Sequence, residues 1–253
     1  LEPSAASHVA LGEVLELQGR RREALASFRA GLAEEPGHVE LLYRLGCWHL
    51  WTHPRRAEQF LRETLRREPR HDLARCAVGL LLGSRHAWKE AEEHLRVAER
   101  SGKVGALPHV YRGHNLWHQG DLVGAEASYR KAMATAPDDP HPHHALGDLF
   151  RHLGRPDEAR RAYEQALALD PRCGDALLRL GHLLDEVGQS GEAARHLRRG
   201  LDLAPQHPWA HEVRRRLQEL GEGAPAEGPA AGGSPASGPP GGGPPGTGPR
   251  APC

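Results

Sequence analysis

Histidines four residues apart are the side chains in this sequence whose spacing best suits chemistry. His114 and His118 form one such pair, and His144, Asp148 and His152 repeat the spacing. On a helix these side chains would share one face, and imidazole with carboxylate suits zinc. The His-Glu-x-x-His order of zinc proteases is missing, however, and 18 histidines in one chain make such spacings common. A zinc-binding module is therefore a minor alternative, and no metal or other cofactor is expected.

Catalytic motifs are missing from the body of the chain. Residues 5–221 contain no Gly-x-Ser-x-Gly motif, no Gly-x-x-x-x-Gly-Lys-Ser/Thr loop and no Gly-x-Gly-x-x-Gly fingerprint. Each of these motifs places a nucleophile or backbone N–H groups at a sharp turn, where they meet a substrate or a phosphate. We therefore expect a protein that is not an enzyme.

Charge and hydropathy argue against two classes of partner. The 33 basic and 33 acidic residues balance, so the chain has no overall field that would attract nucleic acid or an anionic membrane. The longest apolar run, near Val78–Leu82, is far shorter than the roughly 20 residues that span a bilayer. Neither nucleic acid nor a membrane is expected as a partner.

Cysteine usage indicates a reducing compartment. The four cysteines, at positions 47, 76, 173 and 253, form no Cys-x-x-Cys pair and no disulfide framework. The chain opens LEPSAASHVAL, with no Met and without the basic and apolar regions of a secretory signal. We expect a cytoplasmic protein, although this opening also fits a fragment of a longer one. Cys47 and Cys76 are expected to be small thiols that tolerate burial rather than a disulfide.

A repeat of 34 residues organises the body of the chain. Small residues recur at this interval in two series, one of glycines and one of alanines. These residues are Gly12, Gly46, Gly79, Gly113, Gly147 and Gly181, and Ala24, Ala57, Ala91, Ala125, Ala159 and Ala193. A single interval of 33 in each series places the missing residue between Gly46 and Ala57. A fixed period of this length is the signature of a repeat architecture.

Each copy of the repeat predicts two helices. In the fifth copy the apolar residues have helical spacing, namely Leu146, Leu149, Phe150 and Leu153, then Ala159, Ala162, Tyr163, Ala166 and Leu167. Glycines stand between the two helices in four copies, at Gly19, Gly120, Gly154 and Gly188. Glycine adopts the left-handed conformation that ends a helix. The small residues of the two series allow the paired helix axes to approach closely.

These residues resemble the tetratricopeptide repeat, which has Leu-Gly near its start, Ala at position 20, an aromatic residue or Leu at 24 and Pro at 32. The fifth copy reads HALGDLF and then PDEARRAYEQALALDP. The resemblance implies an all-α fold, a right-handed α-solenoid of six repeats. Their predicted bounds are about 5–38, 39–71, 72–105, 106–139, 140–173 and 174–207.

Two further segments follow the repeats. Residues 208–220 predict an amphipathic helix that caps the last repeat through Trp209, Val213, Leu217 and Leu220, with Gly221 ending it. Residues 222–253 are rich in Gly, Pro and Ala and have almost no apolar bulk, which predicts a disordered tail.

The resemblance also implies a binding surface, because members of this family hold a peptide or a partner helix in a groove lined by the first helix of each repeat. We expect exposed groove residues at Tyr43, Arg44, Trp51, Tyr111, His114, Trp117, His118, His144, Asp148, Arg151, Arg179 and His182. Tyr, Trp and Arg are the residue types that dominate binding hot spots. For Trp51 and Trp117 the alternative is packing between adjacent first helices.

One known mode of binding is not expected. Members of the family that bind chaperones grip a C-terminal carboxylate with Lys and Asn at the fifth and ninth positions of the first repeat. Here those positions hold Val9 and Glu13, so a chaperone C-terminal tail is not an expected ligand.

The sequence therefore favours a protein–protein interaction scaffold or adaptor that binds a peptide segment or helix of a partner. The alternative is a regulatory or targeting domain that belongs to a larger enzyme. The histidines add a hypothesis, because imidazoles become cationic as the pH falls through about 6.5. An acidic peptide would then bind more tightly at about pH 6 than at about pH 8.

Overall fold

The computed structural model describes residues 4–50, 52–205 and 207–222. In this part of the chain thirteen helices and no strand are present. They are α1 (Ala5–Leu17), α2 (Arg21–Glu34), α3 (Val39–His49), α4 (Pro54–Arg67), α5 (Asp72–Ser84), α6 (Trp88–Ser101), α7 (Leu107–His118), α8 (Leu122–Thr135), α9 (Pro140–His152), α10 (Pro156–Leu169), α11 (Gly174–Glu186), α12 (Ser190–Leu203) and α13 (Ala210–Glu222). Trp51 and residues 223–253, the bulk of the predicted tail, lie outside the described residues.

Backbone packing divides the chain into two compact units, with the boundary inside α9, after Ala145. In the first unit the helices pack as pairs, α1 with α2, α3 with α4, α5 with α6 and α7 with α8. In the second unit α11 packs closely with α12, α10 contacts α11, and α13 contacts α12. The fold is all-α and consists of consecutive helix pairs. Within the described residues no helix is both long and apolar enough to cross a lipid bilayer.

A glycine socket joins the two helices of each pair. The glycine of the first helix faces a large residue of the second helix, and a Cβ at Gly147 would come within 2.5 Å of the Tyr163 ring. Gly46 and Gly79 face Leu61 and Leu95 in the same way, at 2.7 and 2.8 Å. The remaining sockets are Gly12 with Phe28, Gly113 with Tyr129 and Gly181 with Leu197. The close approach predicted from the small residues is therefore confirmed, because any larger side chain would push these helices apart.

The turns between paired helices also follow the predicted chemistry. Gly19, Gly120, Gly154 and Gly188 all have positive φ, between 68° and 81°. This left-handed conformation ends the first helix and costs a glycine nothing, because glycine has no Cβ. In the third pair His86 takes the left-handed conformation instead, with φ 61°.

The last helix covers the end of the second unit. Val213 is buried against Leu178 and Leu197, and Trp209, Leu217 and Leu220 pack around them. Gly221, which was expected to end this helix, and Glu222, which was expected to begin the tail, both belong to α13.

Candidate peptide-binding surface

The odd-numbered helices carry the residues that the register assigned to a groove, and we call the surface they form the first-helix face. In the first unit this face comprises α1, α3, α5 and α7, and neighbouring members such as α5 and α7 contact each other directly. In the second unit it comprises α9 from residue 146 onward, α11 and α13.

A cluster of carboxylates surrounds Arg44 in the first unit. Its guanidinium donates at 2.5 Å to Glu13 on α1 and at 2.5 Å to Glu40 on its own helix, and it lies 3.6 Å from Glu16. The Arg44 side chain is only 10% exposed, whereas that of Glu13 is 43% exposed. Burial raises the pKa of Glu16, although Arg44 opposes the shift. The cluster fixes Arg44 and leaves an acidic edge on the first-helix face.

Aromatic rings expected to be exposed on this face are buried. Tyr43, Tyr111 and Trp117 are 2%, 3% and 5% exposed. Tyr43 packs on His71, with ring centroids 4.7 Å apart. The reason is the small side chains on the neighbouring helix α5. Cys76 and Ala77, both buried, allow the adjacent first helices to pack closely around the rings.

The thiols on this face are protonated. Burial raises the pKa of both Cys47 and Cys76 to about 12. Both cysteines are free, as expected, rather than joined in a disulfide. Neither group is therefore a thiolate near neutral pH, which is the form that reacts and binds metals.

Two histidines of α7 differ in environment. His114 is half-buried, and its Nδ1 lies 2.8 Å from the hydroxyl of Tyr129, which orients the ring. His118 is exposed at the end of the helix. Partial burial lowers the pKa of His118, and the neighbouring His86 lowers it further. Protonation of His118 therefore requires a pH below the ordinary value near 6.5.

In the second unit a buried ion pair lies beneath the first-helix face. Arg179 on α11 donates to Asp148 Oδ2 on α9, and the Tyr163 hydroxyl donates to Asp148 Oδ1 at 2.7 Å. The two charged side chains are 4% and 3% exposed. The Arg179 guanidinium also lies 5.2 Å from the ring centroid of Trp209. Asp148 and Arg179 therefore hold consecutive first helices together and are withdrawn from solvent.

The accessible groups of the second unit lie beside this pair. Arg151 donates at 3.0 Å to Glu186, and its side chain is 26% exposed. His182 is half-buried, and its ring meets that of Trp209 edge-on at 5.3 Å. Burial lowers the pKa of His182.

The prediction that the groove residues are exposed was therefore wrong for half of them. Six are buried, namely Tyr43, Tyr111, Trp117, His144, Asp148 and Arg179. Five are at least partly accessible, namely Arg44, His114, His118, Arg151 and His182. Trp51 lies outside the described residues. The role of the accessible five in binding stays a prediction.

Sequence reasoning missed the partners that position these side chains. Glu13 and Asp148 occupy the ninth position of their repeats, and Arg44 and Arg179 the sixth position of the next repeat. Each acid therefore precedes its arginine by 31 residues. An acid at the ninth position of one repeat and an arginine at the sixth position of the next can be read from the sequence. This pattern was the signal that could have predicted the ion pairs. Trp209, expected only to cap the last repeat, also contacts His182 and Arg179.

Metal binding has no support in the described residues. No three His, Cys, Asp or Glu side chains in this part of the chain are placed to share one metal ion. His114 and Asp148 instead interact with Tyr129 and Arg179, respectively.

Comparisons with known proteins agree with the repeat architecture. Profiles of the tetratricopeptide repeat match residues 7–40, 106–172 and 144–208, which together cover more than half of the 253 residues. None of the curated protein sequences compared with this chain matches it.

Solved structures show the same fold. A tetratricopeptide repeat protein from Parabacteroides merdae has 16% sequence identity and a TM-score of 0.67, over 85% of this chain and 84% of that one. Yeast Tom70 has 15% identity and a TM-score of 0.63, over 87% of this chain and 47% of that one. With the helix pairs, the glycine sockets and the profile matches, these likenesses show that the chain belongs to the tetratricopeptide repeat family.

Proposed function

We propose that this protein–protein interaction module holds a segment of a partner protein on its first-helix face. The observation that carries the proposal is that ion pairs with neighbouring helices hold accessible side chains in place. Arg44 and Arg151 each form an ion pair with a carboxylate from an adjacent first helix. A side chain that is already ordered loses little conformational entropy on binding, which favours affinity.

The accessible residues indicate a polar binding surface that is supported by buried, well-packed side chains. In the first unit Arg44, His114 and His118 are at least partly exposed, whereas Tyr43, Tyr111 and Trp117 on the same helices are buried. In the second unit Arg151 and His182 lie beside the buried Asp148 and Arg179. The buried set supplies rigidity, and the accessible set supplies hydrogen bonds and charge. The expected ligand is therefore a polar segment that offers hydrogen-bond acceptors, with a carboxylate or carbonyl oxygen placed at Arg151 rather than at the acidic edge around Arg44.

The alternative role, as a regulatory or targeting part of a larger enzyme, would use the same surface. A segment of that enzyme would then take the place of the partner protein.

Site-specific photo-crosslinking tests the location of binding. A benzoyl-phenylalanine placed at the exposed His118 reports on the first-helix face of the first unit. The matched control position is Arg130 on α8, whose side chain is 62% exposed. We expect discrete crosslinked products from position 118 in a cell extract and none from position 130. Equal products at both positions, or none at 118, would contradict the proposal for the first unit.

Charge reversal tests the second unit. Arg151→Glu reverses the charge of an accessible arginine on the first-helix face of this unit, and Arg161→Glu is the matched control at an exposed position of α10. With helicity unchanged in both variants, retention of a captured partner should fall in Arg151→Glu only. Loss of the partner in both variants would show that general charge, rather than this face, determines binding.

A further inference from the structure

A cleft rich in arginine lies in the first unit, between two neighbouring turns. Its walls are formed by His53, Pro54, Arg55 and Arg56 at the start of α4, and by Ser84 and Arg85 at the end of α5. None of these residues belongs to the accessible set of the first-helix face. Ser84 is the last residue of α5, and the other five belong to the turns or to α4, so the cleft lies at the edge of the first-helix face, away from its accessible set.

The charge in this cleft is unbalanced. Arg85 pairs with Glu58, and the same carboxylate also accepts from Arg62 at 2.9 Å. Arg55 and Arg56 form no ion pair with any residue in the described part of the chain. Of the three guanidinium groups in the cleft, only that of Arg85 has a carboxylate partner, and it shares this carboxylate with Arg62.

His49, which contacts the cleft residue His53, responds to the positive charge around the cleft. The ring of His53 meets that of His49 edge-on at 5.3 Å, and His49 is only 5% exposed. Its Nδ1 is buried and has no hydrogen-bond partner in the described residues. Burial lowers the pKa of His49, and nearby His53, Arg29 and Arg56 lower it further. The imidazole therefore stays neutral rather than adding a fifth cation.

The stability of α4 does not explain its two leading arginines. Positive charge in the first turn of a helix is unfavourable, because the peptide dipoles make that end positive. The second helices α2, α6 and α12 accordingly carry Glu23, Glu90 and Glu192 in their first turns. In α4, as in α8, the first turn holds no acidic residue, and of these two helices only α4 has adjacent arginines there.

We propose that this cleft binds the phosphate group of a phosphorylated segment of a partner protein. The guanidinium fork donates two parallel hydrogen bonds to a phosphate, and Arg55, Arg56 and Arg85 offer several forks around one concave site. A phosphoryl group carries close to two negative charges at neutral pH, which offsets the local excess of arginine.

A phosphorylated protein segment fits better than a membrane or nucleic acid. The exposed large apolar side chains of the described residues include Leu17, Val123 and Val187, and none of them lines the cleft to enter a bilayer. A nucleic acid needs a continuous basic track, whereas the whole chain has balanced charge.

Titration by NMR of the full chain tests the proposal, with the arginine Nε–Hε signals as the readout. The probes are inorganic phosphate and the peptide Gly-Gly-Gly-Ser-Gly-Gly-Gly with and without a phosphate on its serine. We expect saturable shifts at Arg55, Arg56 and Arg85, with a Kd of about 1 to 10 mM for phosphate and for the phosphopeptide. The unphosphorylated peptide should leave these signals unchanged.

Two variants separate a site from general charge. Arg55→Gln with Arg56→Gln should weaken phosphate binding by about tenfold or more. The matched control, Arg66→Gln with Arg67→Gln, removes two adjacent arginines from the other end of the same helix and should leave the Kd unchanged. If the first pair disturbs α4, Arg85→Gln tests the cleft from the other turn.

Three results would overturn the proposal. The first is a linear, unsaturated shift up to about 100 mM phosphate, which indicates no site. The second is equal weakening in both double variants. The third is binding of a poly-A oligonucleotide or of phosphatidylserine vesicles through Arg55 and Arg56 while the phosphopeptide does not bind.

Discussion

Asp148 and Arg179 form an ion pair in which both side chains are at least 96% withdrawn from solvent, across 31 residues of sequence. The pair formed by Glu13 and Arg44 has the same separation, yet the Glu13 side chain is 43% exposed. The same two repeat positions therefore form a buried ion pair in one case and a partly exposed ion pair in the other, both between consecutive first helices. Their energetic roles should differ, because burial removes the water that screens and solvates charge.

Removing the charge of Asp148 should destabilise the protein strongly. Asp148→Asn leaves the buried Arg179 without a counter-charge, and breaking a buried pair in this way costs about 3 to 5 kcal/mol. The matched variant Glu13→Gln should cost no more than about 1 kcal/mol, because its pair is partly exposed. Urea unfolding followed by circular dichroism measures both free energies. Equal losses would show that burial does not distinguish the two bridges.

Replacing both partners gives an independent check on that pair. Asp148→Leu with Arg179→Met removes both charges and the need to solvate them, so its cost should be well below that of Asp148→Asn. If the double variant is as unstable as the single one, the loss of unfolding free energy comes from the Tyr163 hydrogen bond and from packing rather than from the unpaired guanidinium.

The glycine socket should tolerate no side chain. Gly147→Ala would bring a methyl group to 2.5 Å from the Tyr163 ring, whose hydroxyl is held by Asp148, so the ring cannot move freely. Overpacking of this kind costs about 1 to 3 kcal/mol. Gly191→Ala in α12 is the control, because a Cβ there meets nothing within 4 Å. Thermal unfolding should show a lower Tm for the first variant and an unchanged or higher Tm for the second.

Stability should fall as the medium becomes acidic. Burial lowers the pKa of His94, His109, His182 and His196 in the folded state. Between those lowered values and about 6.5 the unfolded chain binds more protons than the folded one, so stability decreases as the pH falls. Above about pH 7 these groups contribute no slope.

Urea midpoints at about pH 5.5 and 7.5 check this expectation. In His182→Gln the difference between the two midpoints should shrink, whereas His211→Gln, at an exposed position, should leave it unchanged. The lowered pKa values also move the proposed pH effect on peptide binding to lower pH, because His118 and His182 gain charge only there. A midpoint that rises on acidification would contradict the argument.

Cys76 should resist alkylation in the folded protein. Its side chain is completely buried, and burial raises its pKa to about 12, so the reactive thiolate is scarce. Iodoacetamide labelling followed by mass spectrometry of peptides measures the rate at each cysteine. Labelling of Cys76 should become rapid only in denaturant. Fast labelling of the folded chain would show that α5 opens on the timescale of the reaction.

Much of the fold could be predicted from sequence because its determinants are local. Gly147 and Tyr163, 16 positions apart, are the two members of one socket, and Gly154 with positive φ makes the turn between them. Backbone conformation and side-chain size decide these features, and both are read directly from residue type.

The exposure of the candidate site could not be predicted in the same way. Register places Tyr111 on a first helix, but its burial depends on how closely α5 and α7 approach, which Cys76 and Ala77 permit. For Asp148 and Arg179 the sequence showed two polar residues at groove positions, and only the packing of α9 on α11 turned them toward each other. Residue type alone does not distinguish a ligand contact from an internal partner.

The glycine socket also bears on how the chain reaches its fold. Its two members are separated by 15 or 16 residues, so closing a helix pair requires only a short loop of unfolded chain. Contacts of such low sequence separation form quickly, and each pair can nucleate before its neighbours are ordered. Folding should therefore start at several places along the chain, with the bridges across 31 residues joining the pairs afterwards.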